Sequence, residues 1–240
     1  MHPFSRTEAL LGPEALSRLQ SSRVAVFGLG GVGGYAAEAL ARTGVGEMDL
    51  YDGDRVTLTN LNRQIIALHS TLDRPKADVM AARLLDVNPR LTVRPHTLFY
   101  LPETAEQVPF SSFDCVLDCI DTVTAKLDII TRCHQLGVRV FSAMGAGNRL
   151  DPSQLRLCDI YDTQNDPLSR VMRRELWRRG VPRLTVACSA EPARKPEHAE
   201  EDSRTPGSLI FVPAAMGLLL ASAALQYLIT REEREAPCEN

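Results

Sequence analysis

The chain has 240 residues and a formal net charge of -3, enough length for one substantial core. A mildly acidic balance gives no sign of nucleic-acid binding, although a local basic patch is sufficient for it. The six cysteines, at 115, 119, 133, 158, 188 and 238, include no C-x-x-C pair, which leaves neither a zinc ribbon nor a thioredoxin motif, and scattered free thiols suit a reducing cytosol.

In chain order, MHPFSRTEALLG lacks the continuous apolar run of a signal peptide because Arg6 and Glu8 interrupt it. Residues 1–22 therefore read as an N-terminal arm and helix. RVAVFG (Arg23 to Gly28) is expected to be a fully buried strand, and GYAAEALARTG a helix closed by Gly44. EMDLYD is the next strand. RPKADVMAARLLDVNP puts Ala77, Met80, Ala81, Leu84 and Asn88 at helical spacing, with Pro75 in the first turn and Pro89 at the end. LTVRP, FDCVLDCID and VRVFSA supply further strands, with a helix from Val123 to Gln135 before the last. Strands alternating with helices in this way predict an α/β, Rossmann-like fold with a mostly parallel sheet in the first half.

Beyond Ala143, MGAGNRLDP is a glycine-rich connection. QLRLCDIY and LTVAC read as strands and DPLSRVMRRELWRRG as a helix, so the α/β pattern continues into the second half. SAEPARKPEHAEEDSRTPG, near 189–207, is charged, proline-rich and poor in large apolar groups, which predicts a mobile surface loop. The segment Ser208 to Thr230 is long enough to span a bilayer, but Pro213 inside it starts a helix of about eighteen residues, many of them Ala, Gly and Ser. It is read as a final helix packed against the sheet, with no stable membrane insertion expected and peripheral membrane association left open.

VAVFGLGGVGG matches G-x-G-x-x-G through Gly28, Gly30 and Gly33. The glycine string alone is weak. Between a strand and a helix, with Asp52 about nineteen residues after Gly33, it marks a nucleotide site whose Asp52 accepts ribose hydroxyls. A plain dinucleotide fold has no need for Asn60, Arg63, Gln64 and Lys76 in the segment that follows. A lysine in the first turn of a helix opposes the helix dipole, which makes sense beside an anion such as triphosphate. The plainer reading is a solvated lysine. Asp121 has a plainer reading too, as a strand-end carboxylate capping the helix at Val123.

Taken together, GLGGVG, DGDRVTLTNLNRQ, RPK and LDCIDT resemble the ThiF/MoeB/HesA family, relatives of the ubiquitin-activating enzymes, over nearly the whole chain. FSRTEALLG, AAEALARTGVG, MGAGNRLDP, DPLSRVMRRELW and FVPAAMGLLLAS are similar to its tRNA threonylcarbamoyladenosine dehydratase branch. The resemblance implies one adenylating domain over 1–240, with a nucleotide-binding half (23–143) and a substrate and dimer half (144–240). It implies a cytoplasmic enzyme that uses ATP and magnesium to cyclise threonylcarbamoyladenosine in tRNA through an acyl-adenylate. Gly28, Gly30 and Gly33 would form the phosphate turn, Asp52 would hold the ribose, and Asn60, Arg63, Gln64 and Lys76 would line the triphosphate. Asp121 would bind magnesium, and Arg6 would enter the site of the other subunit in a homodimer. A cysteine-desulfurase or sulfur-acceptor system is among the implied partners.

Sulfur-carrier activators in this family commonly hold zinc with two C-x-x-C pairs, so none is expected here. Cys188 is the one candidate for their catalytic cysteine, against an inert buried thiol. Arg173, Arg174 and Arg178, in the densest basic stretch of the chain, become candidate tRNA phosphate contacts, against a solvated charged face. Three other functions stay open at this stage: adenylation of the C-terminus of a ubiquitin-like carrier, NAD-dependent oxidoreduction, and a non-catalytic nucleotide-binding scaffold.

Overall fold

The computed structural model describes residues 2–195 and 206–231. Its centre is a sheet of seven strands: β1 (Arg23–Phe27), β2 (Glu47–Tyr51), β3 (Thr92–His96), β4 (Cys115–Asp118), β5 (Arg139–Ala143), β6 (Leu155–Asp159) and β7 (Thr185–Ser189), in the order β3-β2-β1-β4-β5-β7-β6. All neighbours pair in parallel except β6, which runs antiparallel to β7. Successive side chains of a strand point to opposite faces. Val24 and Val26 of β1 join one core, while Ala25 and Phe27 join the other. Burial on both faces is why β1 reads as an apolar run after Arg23.

Helices cover both faces. α1 (Ser5–Leu11) and α2 (Pro13–Gln20) precede the sheet, and Gly12, at φ 86°, breaks the expected N-terminal helix in two. α3 (Gly33–Thr43), α4 (Lys76–Val87) and α7 (Phe211–Thr230) share one core, and α5 (Val123–Gln135) and α6 (Pro167–Arg178) share the other. Pro75 immediately precedes α4 rather than sitting in its first turn, and α7 begins two residues before Pro213. Alanines at 36, 37 and 41 of α3 let α7 pack close across it. Helix α7 is long and apolar enough to cross a membrane by length and composition. In this fold Met216, Leu220, Ala224 and Leu228 are fully buried against α3 and the sheet, so it is a core helix along that stripe.

From β1 the chain builds outward through β2 to β3, then returns to place β4 on the other side of β1. The loops leaving β1 and β4 therefore diverge at the carboxyl ends of their strands and leave a crevice between them. At the far side of the sheet the described part of the 189–207 loop is tied down. Arg194 N–H donates to Asn148 O (2.8 Å), and the Glu191 carboxylate accepts from the N–H groups of Leu150 and Asp151. Residues 196–205, within the expected mobile loop, lie outside the described residues.

Candidate functional site

Gly28 ends β1 at φ 83°, and a side chain there would press on the Cys119 carbonyl. At Gly33 a Cβ would collide with the Gly28 carbonyl. The close approach at Gly33 lets α3 start directly against the turn. Asp52 fixes the turn from the side: its Oδ2 accepts from Leu29 N–H (2.7 Å) and its Oδ1 from Asp54 N–H (2.8 Å). Burial pushes the Asp52 carboxyl above its ordinary range, against the pull of Lys76 and of those two N–H groups.

The crevice is a cavity of about 540 Å³, lined by Gly28, Gly30, Asp52, Asn60, Arg63, Gln64, Lys76 and Asp121 among others. These residues come from the loops after β1, β2 and β4 and from the first residue of α4. Lys76 is no solvated lysine: it is buried, its N–H donates to the Asp54 carbonyl, and its ammonium lies 2.7 Å from Asp54 Oδ2. Asp54, half exposed and also on the cavity wall, was not read from the sequence, although an acid two residues beyond Asp52 could have suggested it. Asn60 is buried and its side-chain carbonyl accepts from Thr57 N–H (3.2 Å). Gln64 is buried with its side-chain oxygen unpaired. The Arg63 guanidinium is exposed and steadied by Thr59 O (2.7 Å) and Asn62 Oδ1 (2.9 Å). Phe27, Tyr51, Tyr100 and the largely exposed Phe99 add an aromatic wall, with Phe27 and Tyr51 stacked at 4.5 Å. No sequence motif had marked this wall.

Asp121 is exposed to the cavity, and α5 begins with no side-chain cap, which removes the capping reading. Among the described residues its one hydrogen-bond partner is the Thr122 hydroxyl, which donates to it at 3.5 Å. Behind it lies a cluster that sequence reading missed. Lys126 of α5 is fully buried and its ammonium donates to Ala143 O (2.8 Å) and Ile120 O (3.1 Å) and pairs with Asp118 Oδ2 (2.8 Å). Ser142 Oγ donates to the same oxygen (2.6 Å). The loop that carries Asp121 is thus anchored to β5 from below.

The remaining sequence candidates lie elsewhere. Arg6 is on α1; Phe4, just before that helix, lies close to Gly44, and Leu19 O of α2 accepts from Gly46 N–H, both just ahead of β2. That is the opposite end of the sheet from the cavity, about 17 Å along a five-residue strand. Arg173 is committed inside the fold, its guanidinium donating to Thr163 O (2.8 Å) and Thr163 Oγ1. Arg174 and Arg178 remain exposed and share the Glu175 carboxylate with Arg179. Cys188 is buried on β7 with its sulfur 3.4 Å from that of Cys158, and it does not line the cavity. Cys238 lies outside the described residues.

Residues 4–239 match the ThiF family. A tRNA threonylcarbamoyladenosine dehydratase of Bacillus subtilis (strain 168) is 39% identical over 245 residues, covering 95% of both chains. The Escherichia coli (strain K12) protein of the same description is 39% identical over 173 residues, 72% of this chain and 65% of that relative. Crystal structures of the E. coli tRNA N6-threonylcarbamoyladenosine dehydratase, TcdA, in complex with AMP and with ATP both superpose with a TM-score of 0.87 at 33% identity, covering 95% of this chain and 94% and 93% of theirs. With a match across nearly its whole length and relatives this similar end to end, the chain belongs to the ThiF family.

Proposed function

We propose that the protein is an ATP-dependent tRNA threonylcarbamoyladenosine dehydratase that activates the threonyl carboxylate as an acyl-adenylate. The observation that carries this reading is the convergence of Gly28, Gly30, Asp52, Asn60, Arg63, Gln64, Lys76 and Asp121 on one cavity. In the proposed reaction a carboxylate oxygen bonds to the α-phosphorus, and pyrophosphate leaves with the electron pair of the broken bond. The nucleophile on the carbamoyl side then attacks the acyl carbon and loses its proton. AMP departs with the former carboxylate oxygen, so the ring closes with net loss of one water. Ring closure is intramolecular and gains from proximity.

The attack brings two anions together, so the cations of the site must offset the charge that builds. Lys76 and Arg63 are the cations in reach, and Asp52 is placed for the ribose. Phe99 offers an exposed aromatic face at the mouth for the base. Asp121 fits magnesium, because the ion takes hard oxygen donors and commonly binds through one or two carboxylates plus phosphates. Bound there, it would neutralise charge on the triphosphate oxygens.

The direct test is nucleoside mass spectrometry of tRNA from cells with and without the gene, in which loss of the cyclised nucleoside is expected. Tm measurements separate the nucleotides. ATP with magnesium is expected to raise Tm, by an amount equivalent to about 2.7 kcal/mol at a hundredfold excess over Kd. A rise with NAD and none with ATP would discard the adenylation reading.

A homodimer is proposed as the working unit from the family resemblance; Arg6 lies at the far end of the sheet from its own cavity, so any part it takes in the reaction is at the site of a second copy. Mixing Arg6→Ala chains with Lys76→Ala chains is expected to restore activity, since one site of each mixed dimer regains both groups. Proven subunit exchange without rescue would remove Arg6 from the reaction.

A further inference from the structure

We infer that Trp177 is a stacking platform for an unpaired base of the RNA substrate, flanked by phosphate contacts from Arg170 and Arg174. The inference rests on the tRNA reading above and names the surface that would hold the substrate away from the reacting nucleoside.

Helix α6 buries Ser169, Met172 and Leu176, so its inward face is settled. One step round from Leu176, Trp177 is 72% exposed. A large aromatic left in water at that level forgoes most of the free energy that burying it would give. It is also held in place: its ring meets Tyr161 edge-on at 6.0 Å and 85°, and the Tyr161 hydroxyl donates to Val181 O (2.6 Å). The outer indole face is thus presented on a fixed mount.

Arg170, Arg174 and Trp177 fall at helical spacing on one side of α6. Among the described residues Arg170 has no carboxylate partner, and Arg174, Arg178 and Arg179 divide the single Glu175 carboxylate between them. Three cations on one anion leave a strong positive excess around the ring. An apolar partner would find these charges costly to bury. A polyanion with exposed base faces satisfies both features at once, because phosphates meet the guanidiniums while a base covers the indole. The positive surface continues past Val181 into a cavity of about 420 Å³ lined in part by His134, Arg139 and Arg183. That cavity opens at the amino ends of β5 and β7, across the sheet from the nucleotide cavity, so an RNA on this surface would span the sheet to present one nucleoside there.

Trp177 is the one tryptophan of the chain, so intrinsic fluorescence reports on this position directly. Titrating wild-type protein with tRNA is expected to quench its emission. Trp177→Ala is expected to weaken tRNA binding about five- to a hundredfold, the range of one base–aromatic stack, and Trp177→Phe to keep most of the affinity. Neither change should alter the slope of log K against log salt, whereas Arg170→Ala with Arg174→Ala should reduce that slope by about 0.7 to 0.9 per lost phosphate contact. The rise in Tm with ATP should be the same in all of them. Wild type that cyclises tRNA with unchanged emission, or Trp177→Ala of wild-type affinity, would overturn the inference while leaving the function standing. So would a change of subunit assembly in Trp177→Ala, which would give the ring to a second copy instead. Wild type that neither binds nor cyclises tRNA would remove the functional reading itself, and this inference with it.

Discussion

Lys76→Ala and Asp121→Asn are each expected to lower ATP-dependent pyrophosphate release by about a hundredfold or more, the usual consequence of losing one contact to charge that develops in the transition state. The structure says why neither should unfold the chain. Lys76 is buried, but the partner it abandons, Asp54, is half exposed and is solvated once the ammonium is gone. Asp121 is exposed and caps no helix. Circular dichroism and Tm would establish that the variants are folded before rates are compared. Well-folded variants with near-normal release would make both residues structural. Lys76 also pulls against the burial that raises the Asp52 carboxyl, so its removal should raise that group further. Residual activity of Lys76→Ala should consequently fall away at a higher pH on the acid side than wild-type activity does.

Lys126→Met is expected to cost about 3 to 5 kcal/mol of stability, because it leaves the Asp118 carboxylate buried without its cation. Total stability of a domain is only about 5 to 15 kcal/mol, so the variant should be marginal. Both side chains are fully buried, and water cannot replace the ammonium in place. Urea unfolding at fixed protein concentration would measure the loss as a lower midpoint with an unchanged slope. Adding Asp118→Leu to Lys126→Met should recover much of it, since an apolar pair of similar volume carries no stranded charge. A single variant that loses less than about 1 kcal/mol would show that the pair is not isolated from solvent.

The parts of the site that were legible in the sequence are those written within short stretches. The glycine turn follows its strand directly, and Asp52, Asn60, Arg63, Gln64 and Lys76 lie within one connection, so their meeting needed only that connection to fold back on the sheet. Asp121 was legible through its strand end. What escaped are contacts that no local pattern writes. Lys126 stands among Ala125, Ile129, Ile130 and Cys133, an apolar stripe that could have announced a buried lysine, but its acid, Asp118, lies on β4. Helical spacing grouped Arg173 with Arg174, and only the fold shows that Arg173 donates to Thr163. Composition of 189–207 gave no sign of the bonds with Asn148, Leu150 and Asp151 at its beginning. Nor does local pattern reveal that β7 inserts between β5 and β6.

The collision that any side chain at Gly33 would suffer with the Gly28 carbonyl has a consequence for substitution scans of this chain. Such a scan ranks positions by how few replacements survive, and Gly33 will score beside Lys76 and Asp121 for a reason that lies in the backbone. Its losses will arise differently. Replacements at Lys76 should leave soluble, folded, inactive protein, whereas those at Gly33 should push α3 off the turn and lower the yield of folded chain. Scoring abundance and activity separately would divide the intolerant positions into those that shape the backbone and those that meet the nucleotide.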